Sequence, residues 1–480
     1  MRGKRCASWI AVAAAGLTGS CTSTPTTPAT GSATSVAGGT IRQFLLPVGN
    51  PTHLDLGSAR HLLFAVSASD STSPSFQFRV QSLTPREDAF GASTNSLLRE
   101  PGAIARPRRR TQAGGKQTES FWVNIGDSSL AGDRLRTATL HLTTQHAYFY
   151  LDQDTGGATV TDDQIARLAN LFESQEYPTV TGTFGADPAT DLEGDSHVYV
   201  VLSPAVDNFG QDKGLMGYFW SRDMLSATTV ATSPRLHSNQ KKAVFLTTRL
   251  FQQPNYTTYG TLAHEFTHLC VFNQKVLLPG RTVSEDTWLD EGWAMLSMDL
   301  CGFGLRGGND AIAKDIKAFQ DKPAAYSLTD WFHNPNGFSY GLSFLFTRYL
   351  YDRFGAGIIH DIMAYPDTGV DAVAGALAAR GLSFQSVFAD WAIANAISGL
   401  HVTSDSRFQY APDIDLHGTY GAITLAGVTL TPVTAFPKSL PGVLRPWGTA
   451  YFDLAASSDR DWSFDFNNPI ALFGSAAIAP

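Results

Sequence analysis

The sequence predicts an α+β fold in which a mixed-sheet lobe is followed by a helical lobe, with a small β domain on each side. Three observations carry this. Between Phe121 and Thr248 the chain holds short apolar runs of strand length, such as Ala147-Tyr-Phe-Tyr-Leu and His197-Val-Tyr-Val-Val-Leu. From 303 to 400 the apolar period becomes that of helices. Between the two stands His264-Glu265-Phe266-Thr267-His268, flanked by apolar residues and itself helical in pattern.

Composition bounds the rest. A chain of 480 residues with 43% apolar residues suits several domains with sizeable cores. Its net charge of −8 argues against nucleic acid as a main partner. Only 16% of residues are charged, and Ser, Thr, Gly and aromatics abound, which suits an exported protein better than a cytosolic one.

The N-terminus reads as an export signal. Arg2, Lys4 and Arg5 form a basic start, and Ala7 to Leu17 an apolar run too short to span a membrane. Leu17-Thr18-Gly19-Ser20-Cys21 resembles a bacterial lipobox, with Thr18 where an aliphatic residue is usual. On that reading residues 1–21 are a lipoprotein-type signal segment and Cys21 is lipidated; cleavage nearby by an ordinary signal peptidase is the alternative. Residues 22–39, uncharged and rich in Thr, Ser, Pro and Ala, are expected to be a tether. Residues 40–98 alternate in short strands, as in Phe76-Gln-Phe-Arg-Val, and predict an N-terminal β domain. Residues 99–120 read as a linker whose basic run, Ala105 to Arg110, is a solvated loop in preference to a processing or anionic-surface site.

The central domain is expected over 121–400. Thr137 to Leu142, Ala147 to Leu151, His197 to Leu202 and Lys242 to Thr248 read as strands. Thr161-Asp-Asp-Gln164 is a capping box for a helix running to about Glu173. The acidic groups Asp152/Asp154 and Asp191/Glu193/Asp195 match no EF-hand loop and read as solvated turns before calcium sites. Helices are expected over Ala311–Phe319, Tyr340–Phe354 with Gly355 as its stop, Asp371–Ala379 and Phe384–Ile397. Strand patterns return in 401–480, predicting a C-terminal β domain.

The chemistry centres on the H-E-x-x-H segment. Leu262, Phe266, Leu269 and Phe272 make an apolar helical stripe, Thr257 or Thr258 suits its N-cap, and Asn273 and Pro279 suit the chain beyond its end. Histidines at i and i+4 lie about 40° apart round the axis and one turn apart, so both imidazoles reach one ion. Neutral imidazole suits zinc. Glu265 lies about 100° further round, where a general base for an activated water belongs. Catalytic zinc takes three protein ligands. The extension that would supply a third histidine is absent, since Val271 and Gln274 stand at its glycine and histidine positions. A second helix is expected from a Thr287-to-Asp290 capping box to Leu300, with Gly302 as stop. It carries Glu291, 23 residues past His268, and folding the two helices antiparallel brings Glu291 to the ion. Glu285 is the next carboxylate to consider.

HEFTH followed by WLDEGWA resembles the gluzincin metallopeptidases, whose second motif commonly reads W-L-N-E-G; Asp290 replaces the Asn. Within that group the chain is similar to the hyicolysin-type family of secreted bacterial peptidases. FWVN at 121–124, HAYFYLD at 146–152, MGYFWSRDM at 216–224 and SYGLSFLFTRYLYDRFG at 339–355 carry the likeness, which covers about 118–400. The resemblance implies a two-lobed catalytic domain with zinc on the floor of the cleft, held by His264, His268 and Glu291. It implies a sheet edge just upstream of the zinc helix, at Lys242 to Thr248, that pairs with an extended substrate. It also implies an oxyanion donor from the helical lobe. Tyr340 is the candidate, with packing between lobes as its other reading. Asp290 and Asp299 are both candidates to orient a ligand imidazole.

The function expected is that of a monomeric, zinc-dependent endopeptidase acting on extracellular or surface proteins, with Glu265 as general base. The alternatives are a zinc hydrolase that does not cut proteins, and a catalytically silent surface-binding lipoprotein with a structural zinc site. Cys270 and Cys301 are expected to remain unpaired, because antiparallel helices meeting at the metal carry them in opposite directions.

Overall fold

The computed structural model describes residues 115–455 apart from 125–132, 155, 157–158, 209–214, 231–235, 336–338 and 435–437, together with strands within 34–82 and 438–479. The signal segment, Cys21 and the basic run at 105–110 lie outside the described residues. A two-residue strand, Thr34–Ser35, falls inside the stretch read as tether. No helix among the described residues is long and apolar enough to cross a membrane.

The fold is α+β. Six strands form a mixed sheet: β1 (Thr118–Asn124), β2 (Asp133–Thr143), β3 (Ala147–Asp152), β4 (Val198–Ser203), β5 (Gly217–Phe219) and β6 (Ala243–Thr247). Their spatial order is β5-β6-β4-β3-β2-β1, with β3, β4 and β6 parallel and the outer pairings antiparallel. Alternate residues face opposite sides of a strand. Accordingly Phe149, Val200, Leu202, Val244 and Leu246 join the helical core, while Tyr148, Tyr150, Tyr199 and Phe245 build an aromatic core with Phe121 on the other face. β4, covered on both faces, is buried at every position, which explains its unbroken apolar run.

One strand expectation is corrected. The stretch Lys242 to Thr248, read as the sheet edge, is flanked on both sides: β6 pairs with β4 and with β5. The edge is the short strand β5, which holds too few residues for an alternating pattern to announce it.

Helices follow in chain order as α1 (Asp162–Leu171), α2 (Tyr177–Phe184), α3 (Tyr256–Phe272), α4 (Thr287–Leu300), α5 (Asp310–Asp321), α6 (Tyr340–Phe354), α7 (Ala356–Ala364), α8 (Gly369–Ala378) and α9 (Phe384–Ile397). The capping box predicted for α1 is present, Thr161 and Gln164 exchanging side-chain and backbone bonds. The helix outlasts its expected end by continuing as a π-helical turn, Phe172–Glu176, into α2.

α3 and α4 run antiparallel. A Cβ on Gly260 would meet Met298 and Phe303, the Ser297 hydroxyl donates to the Ala263 carbonyl at 3.2 Å, and His268 meets Asp290. Early residues of one helix thus meet late residues of the other. Cys270 and Cys301, at opposite ends of this pair, are both buried and free.

The acidic groups weighed for calcium have partners within the chain, although Asp191 uses only its Oδ1, which accepts the Glu193 and Asp195 amides, and its buried Oδ2 has none among the described residues. Asp152 accepts from Arg136 and from the Ser203 hydroxyl, and Asp154 pairs with Arg136. Glu193 pairs with Lys241, while Asp195 accepts from the Tyr148 hydroxyl and the His197 amide.

Strands from the two chain ends share two further five-stranded sheets. His61–Ala68 lies between Thr449–Ala455 and Leu472–Ala479, and Ser75–Ser82 lies between Lys438–Val443 and Asp461–Phe466. Ser67 and Thr449, 382 residues apart in sequence, place their hydroxyl oxygens 2.9 Å apart. The stretches expected as separate β domains, 40–98 and 401–480, thus contribute strands to the same two sheets. Local alternation specifies a strand but not its partner.

Candidate metal centre

The helix that carries the centre starts on a cap the sequence reading missed. Asn255 accepts the amides of Thr257 and Thr258, and the Thr258 hydroxyl accepts the Asn255 amide. Thr258 is thus the reciprocal partner of the cap, and Thr257 lies inside the helix. α4 begins at Thr287 with Asp286 as N-cap, so the expected Thr287–Asp290 box does not form. Asp286 is held from outside instead: its carboxylate accepts the Thr368 hydroxyl at 2.9 Å.

A glycine sets how α4 meets α6. A Cβ on Gly292 would come within 2.7 Å of the Thr347 Cγ2 and 3.1 Å of the Ser343 carbonyl oxygen. Thr347 uses the close approach to donate its hydroxyl to the Gly292 carbonyl at 2.9 Å. The residue before Gly292 is Glu291, so this packing fixes the turn that aims it.

Among the described residues, His264, His268 and Glu291 form the one group of three His, Cys, Asp or Glu side chains whose ligand atoms lie within 4.8 Å of one another. The Glu291 Oε2 is buried and stands 3.3 Å from His264 Nε2 and 3.7 Å from His268 Nε2. Bonds of about 2.0–2.1 Å in a tetrahedron set zinc ligands roughly 3.4 Å apart, so the donor spacing fits the ion. Two imidazole nitrogens and one carboxylate oxygen are also the donor set zinc takes in hydrolytic sites.

The electrostatics favour positive charge there. Burial works to lower the His268 pKa, but Asp290 first, then Glu291 and Glu265, push it up to about 10. Glu291 is held below its ordinary value against the cost of burial by the hydrogen bond from His264 and by both imidazoles. Without a cation these carboxylates keep the His268 imidazole protonated; a bound divalent ion would take the place of that proton.

Glu265 does not join the three donors. It is buried, and its Oε2 accepts the Phe219 amide at 2.9 Å. Burial raises its pKa, moderated by His264 and His268, raised again by Glu291 and lowered by the Phe219 amide. Because Phe219 ends the edge strand β5, that edge is tied to the Glu265 carboxylate.

These groups line one cleft of about 320 Å³ together with Phe219, Trp220, Phe272, Ser284 and Tyr340. The Tyr340 ring lies 6.4 Å from that of His264. Burial first, then Glu291 and Glu265, raise its hydroxyl pKa, so it stays protonated at neutral pH.

Of the two orienting candidates, Asp290 reaches the site, its Oδ2 lying 3.0 Å from His268 Nδ1. Asp299 does not, being paired with Arg348. Glu285 borders the cleft but is committed elsewhere. Its Oε2 pairs with Lys275 at 3.2 Å, and its Oε1 accepts the amides of Asp286 and Gly369. Sequence reasoning missed Phe219, Lys275 and Trp331, which packs on Tyr340. The first lies inside MGYFWSRDM, noticed only as a likeness, and the other two carry no local pattern.

A helix pair presenting H-E-x-x-H and a glutamate to one point defines a metallohydrolase type of site. Residues 136–463 match the Peptidase M30 family, and the chain belongs to that family. It is 26% identical over 310 residues to neutral metalloprotease ShpI of Staphylococcus hyicus, an alignment covering 61% of this chain and 63% of that protein.

Proposed function

We propose that this protein is a zinc metallopeptidase of the gluzincin kind, an endopeptidase with its two-lobed catalytic domain over 121–400, acting on extracellular or surface proteins. The convergence of His264, His268 and Glu291 beside Glu265 carries the reading. Membership of the M30 family and the metalloprotease name of its relative support it. Export follows from the N-terminal signal pattern, with a lipid on Cys21 where the lipobox is used.

His264, His268 and Glu291 would hold the zinc, and Asp290 would orient His268. When bound, zinc would supply Lewis acidity and lower the pKa of water. The chain's own residues do the proton work. The Phe219 amide fixes one oxygen of Glu265, leaving Oε1 to take a proton from the attacking water and deliver it to the leaving amine. The Tyr340 hydroxyl donates to the oxygen on which negative charge develops. β5 offers its outer backbone groups to an extended substrate, which accounts for recognition with broad tolerance of side chains.

Zymography of the mature protein beside Glu265→Gln, with zinc measured in both, tests the proposal. Clearing by the wild type alone, with zinc retained by both, is expected. Equal clearing by the two sinks the assignment, and so does the absence of clearing by a zinc-loaded wild type on any protein substrate.

A further inference from the structure

Tyr340 occupies the first position of α6, a place where the helix by itself leaves an aromatic ring several rotamers. Trp331 meets this ring edge to face, centroids 4.9 Å apart and planes at 83°. Trp331 is buried and belongs to a short turn, Trp331–His333.

Side chains brace the turn from within. The Asn334 Oδ1 accepts the Ser327 amide at 2.7 Å, and its Nδ2 donates to the carbonyls of Ser327 at 3.0 Å and Asp330 at 3.1 Å. The Ser327 hydroxyl accepts the amides of Thr329 and Asp330. It also hangs from outside. The same hydroxyl donates to the Pro446 carbonyl, the Leu328 amide donates to the Trp447 carbonyl at 3.2 Å, and Asp330 pairs with Arg445 at 3.0 Å. A Cβ on Gly448 would come within 2.7 Å of the Tyr326 carbonyl oxygen, so the two backbones touch. Thr449, the next residue, opens a strand of the sheets built from the chain ends.

We infer that Trp331 is a positioning residue for Tyr340, and that Arg445 to Gly448, on the rim of the terminal sheets, holds Trp331 in place. The terminal strands then shape the wall of the metal cleft. A turn braced at both ends transmits a small displacement to the buried Trp331 ring it carries, and hydroxyl donation to a developing charge is sensitive to displacements of an ångström. The consequence for rate rests on the donor role proposed for Tyr340; the positioning does not.

The test uses the full mature chain with 3-fluorotyrosine placed at 340 alone. One narrow fluorine resonance is expected in the parent, and a shifted or split one in both Trp331→Leu and Ser327→Ala. Trp331→Phe, which keeps an aromatic edge, should leave the resonance near its parent position. An unchanged resonance in either Trp331→Leu or Ser327→Ala overturns the inference. Peptide hydrolysis supplies the second readout. Trp331→Leu should lower kcat roughly 10- to 100-fold with KM little changed, and should add nothing in a Tyr340→Phe background. Equal losses in both backgrounds mean that Trp331 acts other than through Tyr340. If Tyr340→Phe alone leaves kcat intact, the donor role fails while the fluorine spectrum still decides the positioning.

Discussion

Oδ2 of Asp290 lies 3.0 Å from Nδ1 of His268, behind the imidazole whose Nε2 faces Glu291. The residue beside the proposed third ligand is thus placed to orient the proposed second. Partners of this kind fix the tautomer and ring angle of a ligating histidine, and their loss costs about 10–100-fold in metal affinity. Asp290→Leu should raise the zinc Kd by about that factor, while Asp290→Asn, which retains a side-chain oxygen, should stay near wild type. Competition with a fluorescent chelator measures it, and an unchanged Kd in Asp290→Leu would remove Asp290 from the site.

Glu285 and Glu291 offer a sharper contrast. Both border the cleft, but Glu285 is tied to Lys275, whose ammonium also donates to the carbonyls of Ile362 and Asp367 at 2.8 Å. Glu291→Ala, like His264→Ala and His268→Ala, should lose zinc and activity while the fold persists. Glu285→Ala should keep one zinc per chain and lose stability, because removing one partner of a buried pair costs about 3–5 kcal/mol. Metal analysis and urea unfolding on the same preparations separate the two. A Glu285→Ala protein that is stable but free of zinc reverses the assignment.

Tyr340→Phe removes only a hydroxyl. If that hydroxyl donates in the transition state alone, kcat should fall by about 10²-fold with KM little changed. Steady-state kinetics on one peptide decides it, and an unaltered kcat returns Tyr340 to a packing role against Trp331.

How much of this was legible depended on whether the cause was local. The H-E-x-x-H helix, the Glu291 helix, their antiparallel packing and the Thr161 box all follow from spacings within a few turns, and each is present. The Asn255 cap lay two residues before Thr257 and three before Thr258, and N-cap preference, which ranks Asn above Thr, was a signal that pointed to it. Asp299 failed as an orienting residue because Arg348, on α6, claims it from another element. The edge strand was misassigned because β5 holds three residues, and pairing decided its place. The terminal strands were read correctly as strands, yet their partners sit across the whole chain.

A last prediction concerns a group that the proposed chemistry does not use. Glu176 ends the π-helical turn between α1 and α2, fully buried, with neither carboxylate oxygen hydrogen-bonded. Burial pushes its pKa well above the ordinary 4.5. Above about pH 4.5 the unfolded chain has released this proton while the native state keeps it. Unfolding then releases a proton, so the stability owed to the neutral carboxyl is complete below that pH and is lost progressively as pH rises toward the folded value. Glu176→Gln keeps the shape and removes the titration. The variant should match the wild type at about pH 4.5 and exceed it increasingly toward about pH 8, read as the difference in Tm across a pH series. A difference that stays constant with pH, or grows toward acid, would show that Glu176 is ionised in the native protein and has a partner in solution.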